Sequence, residues 1–334
     1  MSSIYVLVGT VEERLANIPE GTFQALLSDP PYGLSFLGKD WDKALPTTKA
    51  LSECLRVLCP GALCLFFSGT RTFHRMAVKL EDVGFEIIDC LIWLHTNGLP
   101  KGQDIGKQID RKNGNERTEV LGHYKMPDGN PRRFVKHVGG PGYEGGFPIT
   151  AREKFAPVSP EAKIWEGYKT QIKPSWEPVL LCRKPSTLSL RDCALTYGTG
   201  AFNVPETRLD NEGGEPRFPS NVITEEGIFG EELSRYFYCP KVRWGREKKG
   251  NPHPTIKPVS LTERLALLLR PPLDVSSKLL VPYAGSGSEV IGAHFARWHS
   301  ITAVEKSHEY LELFRQRVSF ARTFKLEQDW RAAL

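Results

Sequence analysis

Short apolar runs of strand length alternate with runs of helical spacing at both ends of this chain, and the alternation breaks between Asn97 and Gln171. Phe23 to Ser28 (FQALLS) is apolar and ends at a turn. Thr47 to Leu58 puts Ala50, Leu51, Cys54, Leu55 and Leu58 on one helical stripe. Ala62 to Phe67 (ALCLFF) reads as a buried parallel strand, Thr72 to Val83 as a helix ending at Gly84, and Phe85 to Leu94 as another strand. The alternation resumes near the other end. Val259 to Leu269 is a leucine-rich helix stopped by Pro271-Pro272. Lys278 to Val281 is a strand, a helix follows to about Arg297, Ser300 to Val304 is a strand, and Glu309 to Phe320 is the last helix. Such a pattern predicts an α/β fold: a mixed, mostly parallel sheet with helices on both faces, built from both ends of the chain.

The break organises the chain. Residues 1–96 and 252–334 are the two α/β parts. Residues 97–175 are polar, basic and rich in Gly and Pro, as in GGPGYEGG at 139–146, and predict a separate module or a functional insertion. Residues 176–251 begin with a returning strand, Trp176 to Arg183, and continue as an irregular elaboration. The net charge of +5 lies in the insertion: residues 101–173 hold 14 Lys+Arg and 9 Asp+Glu, leaving 30 of each in the rest. A basic module on a neutral body suits a polyanionic partner; a lysine-rich solvated loop would show the same balance.

Composition excludes several classes. Hydrophobic residues make up 40% of the 334 and charged residues 25%, enough for a large core. No apolar run approaches the roughly 20 residues that span a bilayer, and MSSIYVLVGTVEERL lacks the marks of a signal peptide. No membrane partner and a cytoplasmic location are expected. The seven cysteines form no C-x-x-C pair, so reduced, buried thiols are expected rather than disulfides or a zinc ribbon. No metal is expected.

Three short motifs carry chemistry. Asp29-Pro30-Pro31-Tyr32-Gly33 follows directly on a predicted strand, where open α/β sheets bind ligands. The two prolines stiffen the backbone and carry no N–H. A carboxylate, a free carbonyl and an aromatic ring held together suit an exocyclic amino group on a planar base. Asp29 and the Pro30 carbonyl would accept its two N–H groups, and Tyr32 would stack on the ring. Ala284-Gly285-Ser286-Gly287 is a strand-to-helix glycine turn, and Glu305 ends the next strand, about 20 residues on, where dinucleotide folds hold a ribose hydroxyl. The turn lacks a P-loop lysine, so a nucleoside is expected and ATP is not. His253-Pro254-Thr255-Ile256-Lys257-Pro258 precedes the leucine-rich helix and puts Lys257 beside its start, in reach of a carboxylate. Each motif alone has a plain structural reading as a surface turn or a helix entry.

Together, D-P-P-Y-G, H-P-T-x-K-P, x-P-Y-A-G-S-G and V-E-K-x-x-E-Y, in that order, resemble the amino-group DNA methyltransferases of the permuted beta class. LPKGQDIGKQIDRKNG, PEAKIWEGYKTQIKPSWEPVLLCRKP, RFPSNVI and YFYCPK look like a subgroup common in bacteriophages and prophages. The resemblance covers most of residues 4–320. It implies a Rossmann-like fold, S-adenosylmethionine as cofactor, and methylation of an amino group in double-stranded DNA, in a bacterial or phage-infected cell. Asp29, Pro30, Pro31 and Tyr32 would be catalytic. Asp29, Lys257, Ala284, Gly285, Ser286, Gly287 and Glu305 would hold the cofactor. The insertion would be the target-recognition region, with Arg132, Arg133 and Lys136 on DNA. Asp at the first motif position points to adenine N6 ahead of cytosine N4. Cytosine C5 chemistry needs a Pro-Cys, and the chain has none.

Two positions depart from the family pattern. Val281 stands where the family usually has Asp, and Gly9-Thr10 where it usually has Gly-Asp. Both missing carboxylates would lie near the cofactor, so a DNA-binding protein with impaired catalysis is an alternative, and Val281→Asp would be expected to tighten cofactor binding. Methylation of a protein or RNA amino group would use the same motif. The sequence leaves open the recognition site, a partner endonuclease and the oligomeric state, a homodimer included.

Overall fold

The computed structural model describes residues 2–34, 42–96, 102–123, 133–135, 149–151, 153–209, 211, 214–225, 228–238, 256–318 and 324–327. They fall into two compact units, one of residues 1–97 and 175–334, the other of 98–174.

The strands of the chain are β1 (Ser3–Val8), β2 (Phe23–Ser28), β3 (Leu58–Phe67), β4 (Glu86–Leu94), β5 (Val120–His123), β6 (Arg133–Val135), β7 (Ile149–Ala151), β8 (Glu153–Phe155), β9 (Trp176–Arg183), β10 (Val222–Thr224), β11 (Lys278–Val281), β12 (Ser300–Glu305) and β13 (Phe324–Glu327). Nine of them form one sheet in the order β10-β4-β9-β3-β2-β11-β12-β1-β13. Every neighbouring pair is parallel except the two made by β9, which runs antiparallel to β3 and β4.

Alternation along the strands sends side chains to two apolar layers. Ala25, Leu27, Leu63, Leu65, Phe67, Leu279 and Val281 join one, together with the helices Val259–Leu269, Ser288–Phe295 and His308–Val318. Leu26, Cys64, Phe66, Leu180 and Leu280 join the other, with the helices Val11–Leu15, Thr48–Val57 and Phe73–Asp82. Helices therefore cover both faces of a mostly parallel sheet, as the alternation predicts.

Several elements differ from the sequence reading. β1 and β13 extend the sheet beyond β12, and β10 adds an edge beside β4. β3 starts at Leu58, inside the stretch read as helix and turn. Pro60-Gly61 does not break it. Gly61 takes φ +75°, and the pairing with β2 shifts register between Phe23 and Ala25, as at a bulge. The stretch read as irregular after β9 contains the helix Leu190–Tyr197 and two single turns, Val204–Thr207 and Glu231–Ser234. Glu206 in the first of these turns pairs with the buried Arg270 and with Arg297. No helix of the described residues is long and apolar enough to cross a membrane.

In the second unit, Asp104 caps the helix Ile105–Lys112, and β5 pairs with β8 and β6 with β7. Asp110 is buried and accepts hydrogen bonds from Arg117, the Ser159 amide and hydroxyl, and the Val158 amide. These bonds outweigh desolvation and hold its carboxyl well below the usual range. Arg117 also bonds Glu166. Three charges of the insertion thus serve its own fold, while Arg111, Lys112, Lys154 and Lys163 are exposed.

Candidate active site

The strand order reverses between β2 and β11. β2 leads through the helix Thr48–Val57 to β3 on one side, and β11 leads through the helix Ser288–Phe295 to β12 on the other. Carboxyl ends of strands at such a reversal leave a crevice for ligands. Asp29-Pro30-Pro31-Tyr32 emerges from β2 there, and the glycine turn emerges from β11. Two sequence motifs 255 residues apart, counted from Asp29 to Ala284, thus meet because their strands are neighbours.

Lys257 binds the D-P-P-Y turn to a third element. Its Nζ is 3.0 Å from Asp29 Oδ2 and 3.1 Å from Glu177 Oε2, and it donates to the Tyr32 hydroxyl at 3.0 Å. The ammonium also lies 4.9 Å from the centroid of the Phe67 ring. Tyr32 Oη is 2.6 Å from Asp29 Oδ1 and 3.2 Å from Glu177 Oε2, so its single proton serves two carboxylates. The turn itself is shaped by Asp42, whose Oδ1 accepts from the Tyr32 amide at 2.6 Å and the Gly33 amide at 3.1 Å. The Leu34 amide bonds its Oδ2. Among the described residues no amide donates to the Pro30 carbonyl.

Glu177 reaches the site because β9 is antiparallel. Its first residues lie beside the last residues of its neighbours, with Glu177 opposite Trp93 and Val179 opposite Phe67. In a parallel strand the same residue would sit at the far end of the sheet.

Burial and charge act against each other here. Desolvation raises the Asp29 pKa; Lys257 opposes this and Glu177 adds to it. Desolvation lowers the Lys257 pKa, but Asp29 and Glu177 outweigh it and leave it above the usual lysine value. Tyr32 is raised by burial and by both carboxylates, so its hydroxyl stays protonated. Lys257 is only 4% exposed. It meets a carboxylate, as its place in the sequence suggested, and that carboxylate is the protein's own.

The glycine turn holds a backbone conformation that only glycine adopts readily. Gly285 and Gly287 take φ +50° and +87°, and a Cβ on Gly287 would stand 2.6 Å from Phe314. Arg317 holds the turn from behind through the Ser286 carbonyl and hydroxyl, at 2.7 and 2.8 Å. Glu305 ends β12 and accepts from the Gly285 and Ser307 amides at 2.7 Å each. Each carboxylate oxygen keeps acceptor capacity for a ribose hydroxyl. Ser286 and Glu305 are nearly buried, and burial raises the Glu305 pKa. This donor and acceptor set fits S-adenosylmethionine.

The two departures from the family pattern have structural roles. Val281 is fully buried in an apolar layer. Thr10 caps the helix Val11–Leu15 and exchanges hydrogen bonds with Glu13 in a capping box. The expectation that Asp at 281 would tighten cofactor binding therefore gives way to a cost of burying a carboxylate among hydrocarbons.

His253, Pro254 and Thr255, and Arg132 and Lys136, lie outside the described residues; Arg133 opens β6. The sequence reading did not include Asp42, Glu177 or Glu289. Glu177 had a signal, an acid at the start of an apolar strand, and so did Glu289, an acid opening an apolar helix. Asp42 sits in a polar loop with no pattern to mark it.

The chain is similar to known proteins along most of its length. A family model described as DNA methylase, of the N6/N4 type, matches residues 23–316. The type II methyltransferase M.HpaI of Haemophilus parainfluenzae is 24% identical over 321 residues, which is 92% of this chain and 71% of that protein. The structure of the PvuII DNA methyltransferase, cytosine-N4-specific, superposes with a TM-score of 0.52 at 13% identity, covering 95% of this chain and 86% of the other. The M1.HpyAVI–SAM complex gives a TM-score of 0.48 at 14% identity, covering 94% and 99%.

Proposed function

This chain belongs to the N6/N4 DNA methylase family, and we propose that its target is the N6 amino group of adenine in double-stranded DNA. Its activity is S-adenosylmethionine-dependent methylation of a DNA base. The observation that carries the reading is the D-P-P-Y turn at the strand reversal, with Asp29 ion-paired to the buried Lys257.

An exocyclic amino group is a poor nucleophile because its lone pair is delocalised into the ring. Asp29 accepts one of its N–H groups and the Pro30 carbonyl the other. The nitrogen is thereby drawn toward tetrahedral geometry with its lone pair free. Lys257 and Tyr32 keep Asp29 ionised and oriented, so that it remains an acceptor. Glu177 holds Lys257 and the Tyr32 hydroxyl in place. The glycine turn and Glu305 bind the nucleoside part of the cofactor, whose sulfonium supplies an electrophilic methyl group. Attack then depends mainly on positioning. The base leaves the helix stack to reach the turn, where the partly exposed Tyr32 ring offers a face.

Target recognition falls to residues 97–175, where the net positive charge of the chain lies. Arg132, Arg133 and Lys136 are the candidate phosphate contacts. Methylation-sensitive sequencing of DNA from cells expressing the protein tests the whole reading. N6-methyladenine within one recurrent sequence is expected. N4-methylcytosine would overturn the choice of base, and unmodified DNA would favour the DNA-binding alternative.

A further inference from the structure

Three acids crowd one base at the reversal point. Asp29 and Glu177 lie at 3.0 and 3.1 Å from Lys257, and Glu289 is near enough to feel the charges of both Asp29 and Lys257. With every group ionised the cluster carries two surplus negative charges. Glu289 opens the helix Ser288–Phe295, two residues past Gly287, and is only 3% exposed. Among the described residues no lysine or arginine lies within ion-pair distance of it. Arg317, the other cation on that side, is engaged with Ser286 and the Ser288 hydroxyl. The mechanism above makes no use of Glu289.

We propose that Glu289 is the counter-ion for the positive charge of the cofactor's methionine moiety. This rests on the chain being an S-adenosylmethionine-dependent enzyme. A carboxylate taken out of water without a cation is unstable as an anion, and a cationic ligand docking beside it removes that penalty. Glu289 shows the strain. Desolvation and then the Asp29 charge push its pKa up to about 7, against the smaller pulls of its own backbone amide, Lys257 and Arg317. Binding of a cation would return it to the ionised form and release a proton. The plainer role is a helix-terminal acid facing the positive end of the helix dipole, which needs no ligand. A capping acid does its work equally well in water, whereas this one is buried.

The test is calorimetry of S-adenosylmethionine binding to wild type, Glu289→Gln and Glu289→Asp at pH 6, 7 and 8. Each titration is run in two buffers of different ionisation heat, which counts protons released. Gln matches the protonated acid in shape, and thermal melts confirm that both variants fold. Wild type should release a proton at pH 6, and its affinity should rise with pH up to about 7. Glu289→Gln should bind about ten- to a hundredfold more weakly at pH 8 and release no proton. Glu289→Asp should retain part of both effects. S-adenosylhomocysteine keeps the ammonium and lacks the sulfonium charge. A loss in Glu289→Gln that persists with it assigns the ammonium, and one that vanishes assigns the sulfonium; either supports the proposal. Unchanged affinity and proton release in Glu289→Gln, with or without a lower melting temperature, would overturn it and leave a helix cap. Wild type that binds no S-adenosylmethionine at any pH would sink the reading on which it rests as well.

Discussion

Replacing Lys257 by Met removes the cation shared by Asp29 and Glu177 and keeps most of the side-chain volume. The ammonium is almost fully buried and lies about 3 Å from three oxygens, those of Asp29, Glu177 and Tyr32. Deleting one partner of a buried ion pair costs about 3–5 kcal/mol, because the remaining charge is stranded. Against a total stability of roughly 5–15 kcal/mol for a native protein this is a large fraction. The loss should depend on pH. In wild type the folded-state pKa of Lys257 lies above the usual lysine value, so its contribution is fully present below about pH 10 and is lost only as pH rises through the folded value. In the variant the Asp29 pKa, already raised by burial, loses its main opposing influence and rises further. The folded variant then binds a proton that the unfolded chain gives up near its ordinary value of 3.8. Stability of the variant therefore falls as pH rises above that value, until Asp29 ionises in the folded state. Urea unfolding of both proteins at pH 5.5 and pH 8 measures the difference. The deficit should be larger at pH 8, and Asp29→Asn added to Lys257→Met should recover part of it. A variant within about 1 kcal/mol of wild type at pH 8, or a deficit that does not grow with pH, would refute the stranded-charge argument.

Asp29→Ala should abolish methyl transfer in a radiolabel assay and leave DNA affinity by anisotropy nearly unchanged, since Asp29 is proposed to act on the amino group and not on the phosphate backbone. Val281→Asp should lose about 3 kcal/mol or more in urea unfolding and gain no cofactor affinity, because the side chain it replaces is fully buried among hydrocarbons. Tighter binding by a well-folded protein would show that the site accepts the carboxylate. Reversing charge at Arg132 and Arg133 should weaken DNA binding and reduce the slope of log affinity against log salt by about 2 if both contact phosphates. An unchanged slope would mark them as solvated loop residues.

The readable parts of the fold were those where one physical signal dominates. ALCLFF announces a buried strand because both faces of a parallel sheet demand apolar residues, and FEIIDCLIWL announces a strand of which Leu91 and Trp93 are buried. The glycine turn announces itself because Gly285 and Gly287 adopt positive φ. Short edges gave no such signal. β10 is three residues long, too short to show alternation, and its place beside β4 comes from tertiary pairing alone. Pro60-Gly61 looked like a break because those residues usually end strands, yet a bulge accommodates them. β1 was missed in the sequence, although SIYVLV before Gly9 is an apolar run that calls for a strand as strongly as FQALLS does.

The site was legible in its motifs and not in its electrostatics. D-P-P-Y, the glycine turn and Glu305 could be placed from spacing, because strand ends recur at predictable positions in an α/β chain. What sets the charge state of Asp29 could not, since it depends on which way β9 runs. A carboxylate opening that strand reaches Asp29 and Lys257 only when the strand is antiparallel. The same limit explains why Val281 looked like a lesion. A missing acid is visible in one line of sequence, while the reach of the Asp29 charge to Glu289 shows only in the fold. Charge at this site is a property of the ends of β2, β9 and β11 together with the residues that open two helices, Lys257 before one and Glu289 within the other. Substitutions there should therefore be judged by the sum over the cluster: removing Lys257 strands Asp29 and Glu177, whereas removing Glu289 takes one negative charge from their surroundings.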